Sequence, residues 1–233
     1  MSSNAEIAEK YLSVLQKHDL SAVYEKPNAY SGIFLPSVSE SYSRSKIKTM
    51  IIGKETRAWR NSTCSGKLGL KFAHEDVIAS QETHAKEIVE LSPKSKFIQF
   101  YRSSCKRLND DVKGDSIVWS NLLCVSNHSK SPVGSKAFDA VKELSKDLLV
   151  AQIEVLRPSV ILFVTGTSYD KYIREFFPKR EASVPLCPGK LWSFKIGDTQ
   201  CFRTSHPQWS DGIQYRDRAL SLAEAEHRAA RPS

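Results

Sequence analysis

Three short apolar runs, each ending at a glycine or at polar residues, limit most strongly what this chain can fold into. They are Thr49-Met50-Ile51-Ile52-Gly53, Ser116-Ile117-Val118-Trp119-Ser120-Asn121 and Val160-Ile161-Leu162-Phe163-Val164-Thr165, the last closed by Gly166. Short runs that are apolar rather than alternating suit strands buried on both faces of a sheet. Helical spacing of apolar residues predicts helices over 5–17, 75–91, 96–108, 135–156, 167–176 and 213–230. The first carries Ile7, Tyr11, Val14 and Leu15 on one stripe, and Arg157-Pro158 stops the long helix over 135–156. Residues 26–45, rich in Ser, Pro and Tyr, read as a loop. Residues 191–196 and 200–204 read as a hairpin turning at Gly197-Asp198. Strands alternating with helices predict a three-layer α/β/α fold around a central, mostly parallel sheet. The 233 residues suit one domain, with 1–45 as an N-terminal helix and loop extension.

Open sheets of this kind bind ligands beyond the carboxyl ends of their strands. The informative residues are then Lys54, Glu55, Thr56 and Arg57 after the first run, and Asn121 and Ser126 near the second. Gly166, Thr167 and Ser168 follow the third, and Ser205, His206 and Pro207 follow the hairpin. Four strand ends meeting polar, hydrogen-bonding groups form a site pattern that no fold requires.

Composition narrows the partner. A formal net charge of +8 favours a polyanion, because each neutralised phosphate releases condensed counterions. The longest apolar stretch, over 160–164, falls far short of the roughly 20 residues of a membrane span. The N-terminal segment is polar throughout and has no signal-peptide core. The expectation is a cytoplasmic monomer with no membrane partner. Cys64, Cys105, Cys124, Cys187 and Cys201 form no CxxC pair, and an odd count reads as reduced thiols. No zinc or iron–sulfur spacing occurs, so neither metal nor cofactor is expected. No GxGxxG or GxxxxGK[ST] loop follows any strand, which argues against a nucleotide hydrolase or transferase.

Four segments carry a resemblance. Gly53-Lys54-Glu55-Thr56-Arg57 looks like the first motif of the uracil-DNA glycosylase superfamily, a strand-ending glycine followed by a water-positioning acid or amide. Trp119-Ser120-Asn121-Leu122-Leu123-Cys124-Val125 resembles the strand whose asparagine reads the base. Leu162-Phe163-Val164-Thr165-Gly166-Thr167-Ser168-Tyr169 is similar to the strand and phosphate-gripping turn that follow. Phe202-Arg203-Thr204-Ser205-His206-Pro207 resembles the histidine–proline motif that ends the site. The four stand in the family's order over about 47–212.

The resemblance implies a DNA partner and a glycosylase fold in which Glu55 and His206 face each other across the active site. Breaking an N-glycosidic bond gives the sugar oxocarbenium character and the leaving base negative charge. A carboxylate stabilises the cation and orients water, the role of Glu55. A donor to the base oxygen stabilises the leaving anion, the role of His206 as a neutral imidazole. Asn121 offers a donor and an acceptor to one edge of a flipped base. Phe97 and Phe100 lie in the stretch where the family stacks that base. Gly166, Thr167, Ser168 and Ser205 would grip phosphate, and Trp209 stands where the family wedges into the vacated duplex.

Each residue also has a plainer reading. Glu55 fits a first-turn carboxylate, Asn121 a structural amide, and His206 a loop histidine. Gly166 fits a strand-to-helix turn, and Phe97 and Phe100 fit core aromatics. A non-catalytic DNA-binding protein on the same fold would need only the basic surface. The motif also departs from the family's best-known branch, which has Gln, Asp, Pro and Tyr after the glycine. That tyrosine excludes thymine by walling off the C5 face of the pyrimidine, and Arg57 stands at the matching position. Lys54 and Arg57 would then meet the base, and the pocket would admit a polar or bulky C5 substituent. Hydroxymethylated or glucosylated cytosine of phage DNA is such a base, and excising it would serve anti-phage defence, as excising uracil would serve DNA repair.

Overall fold

A computed structural model describes residues 3–24, 29–57, 59, 73–90 and 94–229. It is an α/β fold, with a six-stranded mixed sheet among the described residues and helices in the connections. The strands are β1 (Thr49–Glu55), β2 (Val118–Leu123), β3 (Val160–Phe163), β4 (Glu181–Cys187), β5 (Leu191–Ile196) and β6 (Thr199–Arg203). Their order is β2-β1-β3-β6-β5-β4. The helices are α1 (Ser3–Leu15), α2 (Ser21–Tyr24), α3 (Glu40–Ser43), α4 (His74–Glu90), α5 (Lys96–Asn109), α6 (Phe138–Leu156), α7 (Asp170–Phe176) and α8 (Ile213–Ala229). Among the described residues no helix is long and apolar enough to cross a membrane.

The chain divides into two compact units. One comprises Met1–Val38, Lys54–Glu90 and Ser120–Leu156, and the other Ser39–Gly53, Leu91–Trp119 and Arg157–Ser233. In the second, β1, β3 and β6 run parallel, with Ile51 beside Leu162 and Leu162 beside Phe202. All three side chains are buried, which is why these runs are apolar without alternation. The expected hairpin is present: Ile196 pairs with Thr199 across Gly197-Asp198, and Gly197 takes φ +55° as such a two-residue turn requires.

The edge strand β4 has no counterpart among the sequence expectations. Pro185 lies inside it and supplies no ladder N–H, which only an edge position tolerates. Ala182 has φ +46°, and the register slips between Glu181 and Val184. Its side chains are mostly exposed, so no periodic apolar signal marks it. Trp192 of β5 anchors it, donating its indole N–H to Ser183 Oγ at 2.9 Å.

Elsewhere the boundaries move for local reasons. β2 begins at Val118 because the Asp111 carboxylate accepts the backbone N–H groups of Asp115 and Ser116 and holds a turn there. The helix expected over 167–176 opens as a 3-10 turn over Thr167–Tyr169 before α7. Residues 30–39 lack regular structure but are not surface loop. Ile33, Phe34 and Leu35 are buried, and the N–H groups of Ser31 and Phe34 bond to the carbonyls of Ser126 and Cys124. In that same unit α1 lies against α6 and α4. Asn4 grips the backbone N–H and C=O of Val38, both at 2.7 Å.

Two ionic contacts fix the second unit. Arg107 of α5 holds Glu224 of α8 through two hydrogen bonds of 3.0 and 3.1 Å and adds Ser221 at 2.7 Å. Arg203, at the end of β6, meets Asp170, at the start of α7, in a two-pronged pair of 2.7 and 2.9 Å. Both members of the second pair are buried. Removing one charge leaves the other desolvated and unpaired, which typically costs about 3–5 kcal/mol. Asp170→Asn is therefore expected to lower unfolding stability by about that amount in urea titration. A loss under ~1 kcal/mol would mean that the pair behaves like an exposed one.

Candidate functional site

The first unit contains the end of β1 and part of β2. Lys54 and Glu55 are half-buried, Thr56 is buried and Arg57 is exposed. Asn121 is buried on β2. Its neighbour Ser120 donates to Gln152 Oε1 of α6 at 2.6 Å, so alternation along the strand turns Asn121 away from α6. Glu55 is the last residue of β1, where the sequence put it beyond the strand, and Asn121 lies inside β2, where the sequence put it at the end; the two strands are neighbours in the sheet.

The second unit contains the carboxyl ends of β3 and β6. Val164 donates its N–H to Ile52 O, and Thr204 donates to Phe163 O, so the parallel register runs past the carboxyl ends of β3 and β6. Gly166 follows with φ +69° and ψ 175°, a conformation that L side chains rarely adopt. Its N–H donates to Thr204 O at 3.0 Å and ties the two strand ends together, so that N–H is not offered to a phosphate. Thr167 and Ser168 are exposed on the turn that follows.

His206 stands on the loop after β6, half-buried. The backbone N–H of Gln208 donates to His206 Nδ1 at 3.2 Å. A nitrogen that accepts carries no proton, so this contact favours hydrogen on Nε2. Phe97 of α5 lies nearly parallel to the imidazole, with centroids 6.1 Å apart and planes 27° apart. Trp119 backs Phe97 at 5.1 Å. Phe97 is therefore placed beside the imidazole rather than lost in the core. Phe100, one turn on, instead lies beneath the guanidinium of Arg216, 5.9 Å from its ring centroid. It lines a cleft of about 380 Å³ with Lys96, Gln99, Gln208, Ser210 and Ile213. Trp209 is 59% exposed, a large apolar ring offered to solvent at the tip of the same loop.

Arg216 of α8 went unnoticed in the sequence, where an arginine between polar neighbours reads as solvated surface. It is buried, and its Nη1 donates to Ser205 Oγ, Trp209 O and His206 O at 2.9, 3.1 and 3.2 Å. Burial presses its pKa below the ordinary arginine value, with Asp217 and Asp211 acting the other way.

Burial pushes the Cys105 and Cys124 thiols up to about 12, which disqualifies them as nucleophiles at neutral pH. The described cysteines Cys105, Cys124, Cys187 and Cys201 are free thiols, and Cys64 lies outside the described residues. Among the described residues no group of three or more His, Cys, Asp or Glu side chains is gathered as a metal site would need.

The Gly166 backbone makes a specific demand. A Cβ there meets no atom within 4 Å, so only conformational strain opposes a side chain. Gly166→Ala is expected to cost about 1–3 kcal/mol in chemical denaturation; an unchanged midpoint would show that the turn relaxes without loss. Comparison of the sequence with protein-family models and with curated proteins finds no match.

Proposed function

We propose that the protein is a DNA glycosylase on a three-layer α/β/α fold of the uracil-DNA glycosylase kind. It hydrolyses the N-glycosidic bond of a flipped pyrimidine and leaves an abasic site. The observation that carries this reading is the Gln208 N–H directed at His206 Nδ1, with the Phe97 ring beside the imidazole. A protonated Nε2 on an uncharged imidazole is the donor that a leaving base needs as negative charge gathers on its oxygen. The Phe97 ring gives the base a stacking surface at that donor. Glu55, at the end of β1, takes the complementary role, stabilising the cationic sugar and orienting the attacking water.

The remaining groups fall into place under the same reading. Asn121 pairs with one edge of the base. Thr167, Ser168 and Ser205 meet backbone phosphates, and Trp209 fills the stack that the base leaves. The net charge of +8 supports a polyanionic partner. The substrate is uracil or a C5-modified pyrimidine. Arg57, exposed and carrying five N–H donors, favours a polar C5 group over a bare C5 face. Hydroxymethylated and glucosylated cytosines of phage DNA carry such a group, and excising them would serve anti-phage defence.

Single-turnover cleavage of duplexes carrying uracil or a modified cytosine tests the roles of the two residues. Glu55→Gln and His206→Ala are each expected to lower the rate by roughly 10²–10³-fold while leaving DNA affinity within a few-fold. Variants that lose affinity but keep the rate would contradict both assignments.

A further inference from the structure

We propose that Arg216 is a positioning residue for His206, holding the imidazole in its donor tautomer by clamping the loop that carries it. This deepens the glycosylase reading and rests on His206 being the donor to the base. The clamp is unusual in its economy: the hydrogens of one nitrogen, Nη1, are shared among Ser205 Oγ, His206 O and Trp209 O. Those acceptors lie before, at and after the imidazole-bearing residue. The peptide between them includes Gln208, whose N–H supplies the contact to His206 Nδ1. A loop pinned on both sides of that N–H keeps it aimed at Nδ1. A loop released at these points lets the ring turn over and the proton move to Nδ1.

Two features show that the contact is built rather than incidental. Arg216 lies near the N-terminal end of α8, where the helix dipole disfavours a cation, and it is buried, which disfavours charge again. The three hydrogen bonds offset both costs. The backbone also makes room for them at Gly212. A Cβ there would run into Ser205 Oγ and come within 2.8 Å of Arg216 Nη1. Only glycine lets the start of α8 approach Ser205 this closely. Phe100 completes the cradle, its ring beneath the guanidinium.

The test reads the imidazole directly. Long-range proton–nitrogen spectra of the ¹⁵N-histidine-labelled full chain, without DNA, are expected to show His206 with Nδ1 unprotonated and Nε2 protonated. In Arg216→Gln the two nitrogens are expected to average toward mixed tautomers. The single-turnover rate is expected to fall about 10- to 100-fold, the penalty of a catalytic group displaced by around an ångström, with DNA affinity nearly unchanged. Ser205→Ala and Gly212→Ala disturb the same clamp without removing the charge. They are expected to give smaller shifts in the same direction, and they carry the test if Arg216→Gln does not fold. A single Nε2-protonated tautomer retained in every folded variant, with the rate unchanged, overturns the proposal. Wild-type protein that releases no base would instead overturn the glycosylase reading, and the spectra would still judge the clamp.

Discussion

The loop from Thr204 to Trp209 depends on buried guanidinium groups at its two ends. Arg203, the last residue of β6, is locked to Asp170 at the start of α7, so the point where the chain leaves the sheet is fixed. Arg216 reaches from α8 and ties down Ser205, His206 and Trp209. Burying a cation is costly unless it is paired; Arg203 is paired with the Asp170 carboxylate and Arg216 with acceptors on the loop. A segment without regular structure is thereby tied to the elements that flank it.

The same logic runs outward into the second unit. Arg107 joins α5 to α8, so the helix bearing Phe97 and the helix bearing Arg216 are tied to each other. Phe97 and His206 are then held by two helices that share an ionic contact, rather than by their own packing alone. The Gly166 turn is fastened in turn to Thr204 at the base of the loop. In this unit the charged side chains at the core of the fold set the position of the site.

The sequence conveyed every strand but β4, and most helices, because burial on both faces writes apolar runs and burial on one face writes helical stripes. It also conveyed the Gly197-Asp198 turn and the Gly166 turn, since both need backbone conformations that few residues adopt. What it did not convey has equally physical causes. β4 is an exposed edge strand broken by Pro185, so its residues carry no burial period. Residues 30–39 are buried in an extended form whose partners lie far along the chain, which local spacing does not register. Asp170, Arg203 and Arg216 were invisible as determinants, because a charged residue reads as surface until its buried partner is known. Glu55, Asn121, Gly166 and His206 stood out by following strands. The placing of Glu55, Gly166 and His206 at or just past strand ends is a matter of topology, whereas the contacts of Arg216 around His206 are a matter of tertiary structure.

The central claim is a reaction, and free base is its most direct product. Incubating the protein with duplexes carrying uracil, a thymine mismatch, hypoxanthine or a C5-modified cytosine, and measuring released base by mass spectrometry, separates catalysis from mere affinity. The account predicts release from a pyrimidine substrate, matched by abasic sites in the DNA, with a C5-modified cytosine preferred over uracil. Tight binding to DNA by folded protein, with every base retained, would contradict it.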